Sequence, residues 1–349
     1  MTAFSGSAES SAPAGPVRLP ANQPRQFYRG GAAIAALRGH GAAREDGPED
    51  WVASTTPRFG KDTDGLSTLP DGRLLRDAVR ADPRGWLGEA HVAAFGDSTA
   101  LLVKLLDAGQ RLPVHFHPDD AFARRHFDSH FGKTEAWIVV GTSGEDPTVY
   151  AGFRHTQSER VVADWVRDQD APAMLGALNS IRVRPGDTVH IPAGLPHAIG
   201  AGVFVVELQQ PTDFSLTLEW RDFLAAPENG HLGLGFDTAL RALDTTGWDA
   251  ERLRTIVRDT AEDRASTVEL LAGGARGFFR ADRLAPGTGP VALDPSFAVL
   301  VVLDGEGTLR TARGNHPIGR GETLVVPHAA GELELSGTVT VIRCRPPAP

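Results

Sequence analysis

Cysteine is almost absent from this chain. Cys344 is its one thiol in 349 residues, so no disulfide can form within the chain, and a reducing compartment is expected. Long apolar runs are missing too. No stretch approaches the roughly 20 apolar residues that cross a bilayer. The first 26 residues are rich in Ser, Ala, Pro and Gly and hold no apolar run of signal-peptide length. A disordered tail over 1–26 and a cytoplasmic location are the resulting expectations. Positive charge is in deficit, with 35 basic against 44 acidic residues and a formal charge of -9. That balance argues against nucleic acid or an anionic membrane as a partner.

What is present points to a β-rich body. A hydrophobic fraction of 41% is enough for proper cores, and 39 Gly with 25 Pro punctuate short β-prone runs. At about 150 residues per domain the length suggests two or three domains. Strands are predicted at 99–106, 114–117, 134–140, 188–192 and 203–209, and a second set at 297–303, 308–311, 323–327 and 339–343. Between the sets, Phe236, Leu240 and Leu243 share a helical face. Ala250–Asp263 reads as an amphipathic helix with Leu253 and Val257 inward and Asp249 as N-cap. Leu74–Ala81 is expected to be another helix. The two β sets share a pattern: Gly186-Asp187-Thr188 through Pro192 matches Gly321-Glu322-Thr323 through Pro327, and Ala136–Val140 matches Ala298–Val302. Two related β units joined by helices follow.

The chemistry lies in the first set. His115-Phe116-His117 places two imidazoles at i and i+2, on one face of a strand about 7 Å apart. Lys133-Thr134-Glu135 repeats that spacing, and His197 follows Pro192 after the next hairpin. A lone histidine on a strand is usually structural, but three imidazoles and a carboxylate in this order suit one divalent metal, Zn²⁺ first, with Mn²⁺ or Fe²⁺ as alternatives. The other nine of the 12 histidines, His40 among them, show no comparable pattern and are read as surface or packing residues. No ligand set appears in the second β unit, where Glu332 stands five past Pro327 as His197 stands five past Pro192.

These residues also carry a family resemblance. Leu101–Ala108, His115-x-His117-Pro118-Asp119-Asp120, Gly132-Lys133-Thr134-Glu135-x-Trp137, Ile191–Gly200 and Glu207-Leu208-Gln209-Gln210-Pro211-Thr212-Asp213 closely resemble type I mannose-6-phosphate isomerases of the cupin superfamily. The resemblance implies a mainly β fold of two cupin (jelly-roll) barrels with a small helical segment between them. It implies a catalytic metal-binding barrel over 27–225, a helical segment over 226–265 and a metal-free cupin-like barrel over 266–349. It places metal ligands at His115, His117, Glu135 and His197, and substrate-facing residues at Lys133, Lys104 and Asp213. Three departures stand out. His115 replaces a usual Gln, Pro113 stands where a Ser is common, and Thr217 stands where the family has an arginine. Arg221, four residues further on, is a candidate substitute.

The implied activity is aldose–ketose isomerisation of a sugar or sugar phosphate, mannose 6-phosphate to fructose 6-phosphate. Lys133 could stabilise negative charge or move a proton, and Asp213 could open the ring. Lys133 could instead be a structural ion pair with Asp119 or Asp120, Asp213 a turn residue and Lys104 a solvated lysine. Pro113 and Thr217 leave room for an isomerase of an unphosphorylated sugar such as mannose or lyxose. A non-catalytic metal-dependent sugar-binding cupin and an iron dioxygenase are further alternatives.

Overall fold

The computed structural model describes residues 11–39 and 43–349. The chain is mainly β, with antiparallel sheets of eight, six and five strands among the described residues. The six-stranded sheet runs Val257–Asp259, Asp187–Ile191, Glu135–Thr142, Val203–Gln209, Leu102–Asp107 and Glu49–Val52 in spatial order. The five-stranded sheet is Leu216–Thr217, His115–Phe116, His197–Ile199, Thr148–Phe153 and Leu178–Arg182. Alternation along Val203–Gln209 shows how the layers form. Val203 and Val205 pack between the two sheets with Trp137, Val139, Val149, Ala151 and Ile199. Phe204, Val206 and Leu208 point the other way, into a second core. Both faces of this strand are covered, which is why it reads as a continuous apolar run rather than an alternating one.

That second core is shared with the eight-stranded sheet, whose Val299, Val301, Val325 and Ile342 meet it from the far side. Ile34, Leu75, Val79 and Trp86 from the helices Ala32–Arg38, Leu75–Ala81 and Pro83–Leu87 fill the space between. The other face of the eight-stranded sheet closes on its own core, built from Ala298, Leu300, Val302, Leu324, Val326 and Val341. Arg38 fastens the layers together. Its Nε lies 3.2 Å from Asp50 Oδ2 with both side chains buried, and its Nη1 donates to Thr323 Oγ1 at 2.5 Å.

The internal repeat has a counterpart in strand register. Glu135 through Ile138 pair with Ile191 through Thr188, and Ala298 through Val301 pair with Val326 through Thr323. Superposing the two Gly-acid-Thr segments therefore sets Glu135 on Ala298, one residue from the match expected between Ala136 and Ala298. The bulges agree with this register. Pairing with the next strand skips Val140 in the first unit and Leu303 in the second. Gly186 and Gly321, which open the shared segments, both have positive φ (99° and 85°), a turn conformation that glycine adopts without a Cβ clash.

Several expectations need correction. Residues 1–10 and His40 lie outside the described residues, but 11–26 do not form a disordered tail. Val17–Arg18 pairs with Val325 and Leu324 at the edge of the eight-stranded sheet, Leu19 is buried, and the Asn22 backbone N–H donates to Asp50 at 2.7 Å. The helix expected over 250–263 begins as foreseen, with Asp249 capping the N–H groups of Glu251 and Arg252. It ends at Ile256, and Val257–Asp259 becomes the edge strand beside Asp187–Val189. There the β-branched Val257 gains ladder hydrogen bonds that outweigh one more helical turn. The strands expected at 297–303 and 308–311 are one strand, Ala298–Thr311.

Candidate active site

Two rows of side chains face each other between the six- and five-stranded sheets. In the six-stranded sheet Trp51, Lys104, Glu207 and Trp137 stand directly opposite one another on four successive strands, with Glu49 and Glu135 two residues along on the same face. In the five-stranded sheet Thr217 stands opposite His115, and His115 opposite His197. His117 shares that face one pleat further on.

The imidazoles of His115, His117 and His197 bring ligand nitrogens within 4.8 Å of one another. Each ring uses Nδ1 on a backbone carbonyl: His115 on Pro113 at 2.9 Å, His117 on Phe214 at 2.8 Å and His197 on Leu195 at 2.8 Å. Such bonds fix the tautomer and turn every Nε2 lone pair inward, the arrangement of metal-bound histidines. His197 Nε2 is buried without a hydrogen-bond partner. Glu135 completes the set, its Oε2 lying 3.0 Å from His117 Nε2 and its Oε1 3.4 Å from His197 Nε2. Burial, more than any neighbour, holds His117 and His197 down to about 3 and His115 well below the ordinary imidazole value. Burial also works against ionisation of Glu135, but the Lys133 ammonium, followed by His117, outweighs it and holds the carboxyl well below its usual range. All four groups are thus in the form that binds metal. Lys133 Nζ, at 2.8 Å from Glu135 Oε2 and 2.9 Å from His117 Nε2, shows that these lone pairs attract a cation.

The site opens into a cavity of about 330 Å³, bounded by His115, Lys133, Glu207 and Asp213 on one side and by Arg58, Phe59 and Phe27 elsewhere. Along its wall Glu49 accepts hydrogen bonds from Tyr28 Oη (2.5 Å), Trp51 Nε1 (2.6 Å) and Gln26 Nε2 (2.9 Å). Lys104 lies 3.3 Å from Glu49 and 3.5 Å from Glu207. Burial opposes its charge, yet Glu49 and then Glu207 raise its pKa above the usual lysine value. Glu207 is pushed up to about 7 by burial and then by the charge of Glu135. Its Oε2 accepts no hydrogen bond, so one buried carboxyl is poised to gain or lose a proton near neutrality.

The family description "Mannose-6-phosphate isomerase, cupin domain" matches residues 286–346. The chain is 24% identical to the mannose-6-phosphate isomerase of Streptococcus mutans over 326 residues, 90% of this chain and 93% of that one. It is 26% identical over 244 residues to the mannose-6-phosphate isomerase ManA of Bacillus subtilis, 69% of this chain and 73% of the other. The crystal structure of mannose 6-phosphate isomerase from Bacillus subtilis superposes with a TM-score of 0.75 at 24% identity, covering 95% of this chain and 99% of that one. The chain is similar to type I mannose-6-phosphate isomerases of the cupin superfamily. The family match lies on the eight-stranded sheet, whereas the histidine cluster lies between the other two.

The structure sorts the remaining site candidates. Lys133 and Lys104 are buried, and neither is paired with Asp119 or Asp120. Asp119 instead caps the helix Asp120–Phe127, and Asp120 accepts from Gly132 N and Gln210 Nε2. Asp213 lines the cavity and accepts the Phe59 N–H at 3.0 Å. Burial raises its pKa. Arg221 is not brought to the site: it is exposed, lies over Trp220 and donates to Asp168 O at 3.3 Å. The edge-strand geometry of Leu216–Thr217 turns Thr217 inward and leaves Arg221 beyond the sheet. Sequence reasoning passed over Glu49, Glu207, Tyr28 and Arg58. A charged residue inside the apolar run Val203–Leu208 was the available signal for Glu207.

Proposed function

We propose that this chain is a metal-dependent aldose–ketose isomerase that interconverts mannose 6-phosphate and fructose 6-phosphate. The observation that carries this reading is the convergence of three neutral imidazoles and an ionised carboxylate on a cavity that also holds Lys133, Asp213 and a carboxyl poised near neutrality. His115, His117, Glu135 and His197 would hold one divalent ion, Zn²⁺ first and Mn²⁺ or Fe²⁺ as alternatives, which when bound supplies Lewis-acid polarisation of the sugar oxygens.

The reaction takes the proton from C2 and returns one to C1 through a cis-enediol, while O1 gains a hydroxyl proton and O2 loses one. Lys133 supplies an ammonium beside the oxygens that develop negative charge. Burial keeps that charge in a low-dielectric setting where it stabilises more than it would in water. Glu207 can accept and return a proton near neutral pH. Asp213, whose pKa is raised, can donate to the ring oxygen as the pyranose opens. Phe59 and Phe214 pack edge-to-face at 5.8 Å beside it and limit access of water.

A free sugar such as mannose or lyxose is the second reading, favoured by Pro113 and Thr217, which line the cavity without a charged donor. The test is conversion of mannose 6-phosphate, mannose and lyxose by preparations whose metal content is measured alongside. Conversion of none of them at one metal per chain would leave a sugar-binding cupin and end the isomerase reading.

A further inference from the structure

We infer that Arg58 is the anion-binding residue of the cavity, the guanidinium that receives the phosphate of a phosphorylated sugar; this rests on the isomerase reading above. Four cations come into question by position. Lys133 is held by Glu135 and His117. Lys104 is held between Glu49 and Glu207, 4.6 Å over the Trp51 ring. Arg221 lies outside the cavity. Arg58 lines it, and the partner of its side chain is the partly exposed Asp64, whose Oδ2 accepts from Nη1 at 3.0 Å. A buried carboxylate holds its lysine against any incoming anion, whereas an ion pair open to water is worth little and exchanges readily. The remaining N–H groups of the guanidinium fork suit the two oxygens of a phosphate.

The loop that carries Arg58 is built into the site. Its backbone N–H donates to Asp64 O at 2.8 Å and its carbonyl accepts from Lys61 N at 2.9 Å, which closes a tight loop around the side chain. The next residue, Phe59, donates its N–H to Asp213 and packs on Phe127 and Phe214. Phe214 O in turn accepts from His117 Nδ1. Arg58 is therefore one residue from a chain of contacts that ends on a metal-ligating histidine. That chain fixes its distance from the reacting end of a bound sugar. A cavity of about 330 Å³ is of small-ligand size and holds a hexose between the two ends. Asp64 has a definite role in this arrangement: it occupies the guanidinium when no anion is bound and competes with one that arrives.

The experiment is calorimetric titration of metal-loaded protein with mannose 6-phosphate and with mannose, for the wild type, Arg58→Ala, Arg58→Lys and Asp64→Asn. One charge-assisted contact predicts that Arg58→Ala lowers the affinity ratio of phosphorylated to free sugar on the order of ten- to a hundred-fold. Arg58→Lys should retain part of the ratio, and Asp64→Asn should raise it by removing the competitor. Circular dichroism checks that each variant is folded. An unchanged ratio in Arg58→Ala, or a ratio that falls in Asp64→Asn, overturns the proposal. The two readings fail separately because binding is measured rather than turnover. A protein that prefers the phosphorylated sugar through Arg58 but converts neither sugar loses only the isomerase reading. A protein that isomerises with its preference intact in Arg58→Ala loses only the assignment of Arg58.

Discussion

The two repeats of this molecule use the same strand grammar and place charge in their interiors in different ways. In the register set by the shared Gly-acid-Thr turns and the matching bulges, Glu135 corresponds to Ala298 and Trp137 to Leu300. Glu207, opposite Trp137, corresponds to Arg343, opposite Leu300. Both Glu207 and Arg343 are buried charges at one point of the fold. Arg343 is fully engaged, bonding to Asp294 Oδ1 at 2.8 Å, Asp294 O at 2.7 Å and Ser296 Oγ at 2.8 Å. Glu207 Oε2 accepts no hydrogen bond, has only the Lys104 ammonium 3.5 Å away, and faces a cavity. A buried charge with its bonds satisfied is architecture. One left partly unsatisfied next to space for a ligand indicates chemistry.

The sharpest way to break this contrast is to remove the charges from the first repeat. Glu135→Ala and His197→Ala should lose bound metal and all measurable turnover, and Glu135→Ala should also destabilise the chain, since Lys133 would keep its buried charge without its partner. Metal analysis after gel filtration decides the point, and full metal in both variants would show that the ligand set is wrong. A core truncation in the second repeat, Leu300→Ala at the counterpart of Trp137, should cost about 2–5 kcal/mol of stability yet keep one metal per folded chain. Loss of metal there would mean that the second repeat shapes the site directly.

Lys133→Ala is expected to retain metal and to lose about a hundred- to ten-thousand-fold in kcat, the range for a positioned acid, base or charge stabiliser. Metal content and rate are to be measured on one preparation, and full activity would reduce Lys133 to a partner of Glu135. At the junction between the repeats, Arg38→Ala leaves Asp50 buried without its cation. It should cost about 3–5 kcal/mol, read as a lower denaturation midpoint, with the metal retained. A change below about 1 kcal/mol would show that the apolar layer of Val103, Val206, Val301 and Ile342 alone joins the repeats.

How much of this was legible in the sequence depends on the range of the interaction that decides it. The clustering of His115 with His117, and of Lys133 with Glu135, could be read because period-2 spacing within a strand puts each pair on one face whatever the rest of the fold does. Val203–Gln209 was legible end to end, and so was the Asp249 cap, a local hydrogen bond. On the wall of the cavity Lys104 and Asp213 came from the family resemblance alone, and Glu49 and Glu207 were not legible, because they meet Lys104 through pairings between strands distant in sequence. The N-terminal segment was misread for the same reason: Val17 and Arg18 are ordered by a strand about 300 residues away. The short helices at 83–95, 120–127 and 159–177 carry caps at Asp82, Asp119, Ser158 and Asp170. They are too short for apolar periodicity to mark them. Arg58 has no local signature, and its loop gains meaning only from Asp213.

The smallest effect, and the one that compares the repeats most directly, is the response to acid. His117 and His197 are held down to about 3 and His190 down to about 4, in each case chiefly by burial, against an ordinary 6.5. All three belong to the first repeat. The stability they contribute is present above about pH 6.5 and is lost as the pH falls toward their folded values, because the unfolded chain takes up protons that the folded chain refuses. Glu207 acts in the opposite sense. Its folded value near 7 lies above the ordinary 4.5, so its contribution is present below about pH 4.5 and is lost as the pH rises through 7. Between pH 6.5 and 5.5 each of these imidazoles removes about 1 kcal/mol, His115, also held well below its ordinary value, adds to the loss, and Glu207 returns about as much as one imidazole, so the metal-stripped protein should lose on the order of 2–3 kcal/mol. Excess metal should offset part of that loss, because it binds the neutral imidazoles of the folded state alone. Urea midpoints at pH 7.5, 6.5 and 5.5, with chelator and with zinc, measure both terms. His190→Gln should flatten the chelated curve by the share of one group while leaving metal affinity unchanged, since His190 faces Phe278 and not the cluster. A chelated protein whose midpoint holds steady across this range would show that the buried imidazoles of the first repeat are not kept neutral by the fold, and the contrast between the repeats would then rest on the carboxylates alone.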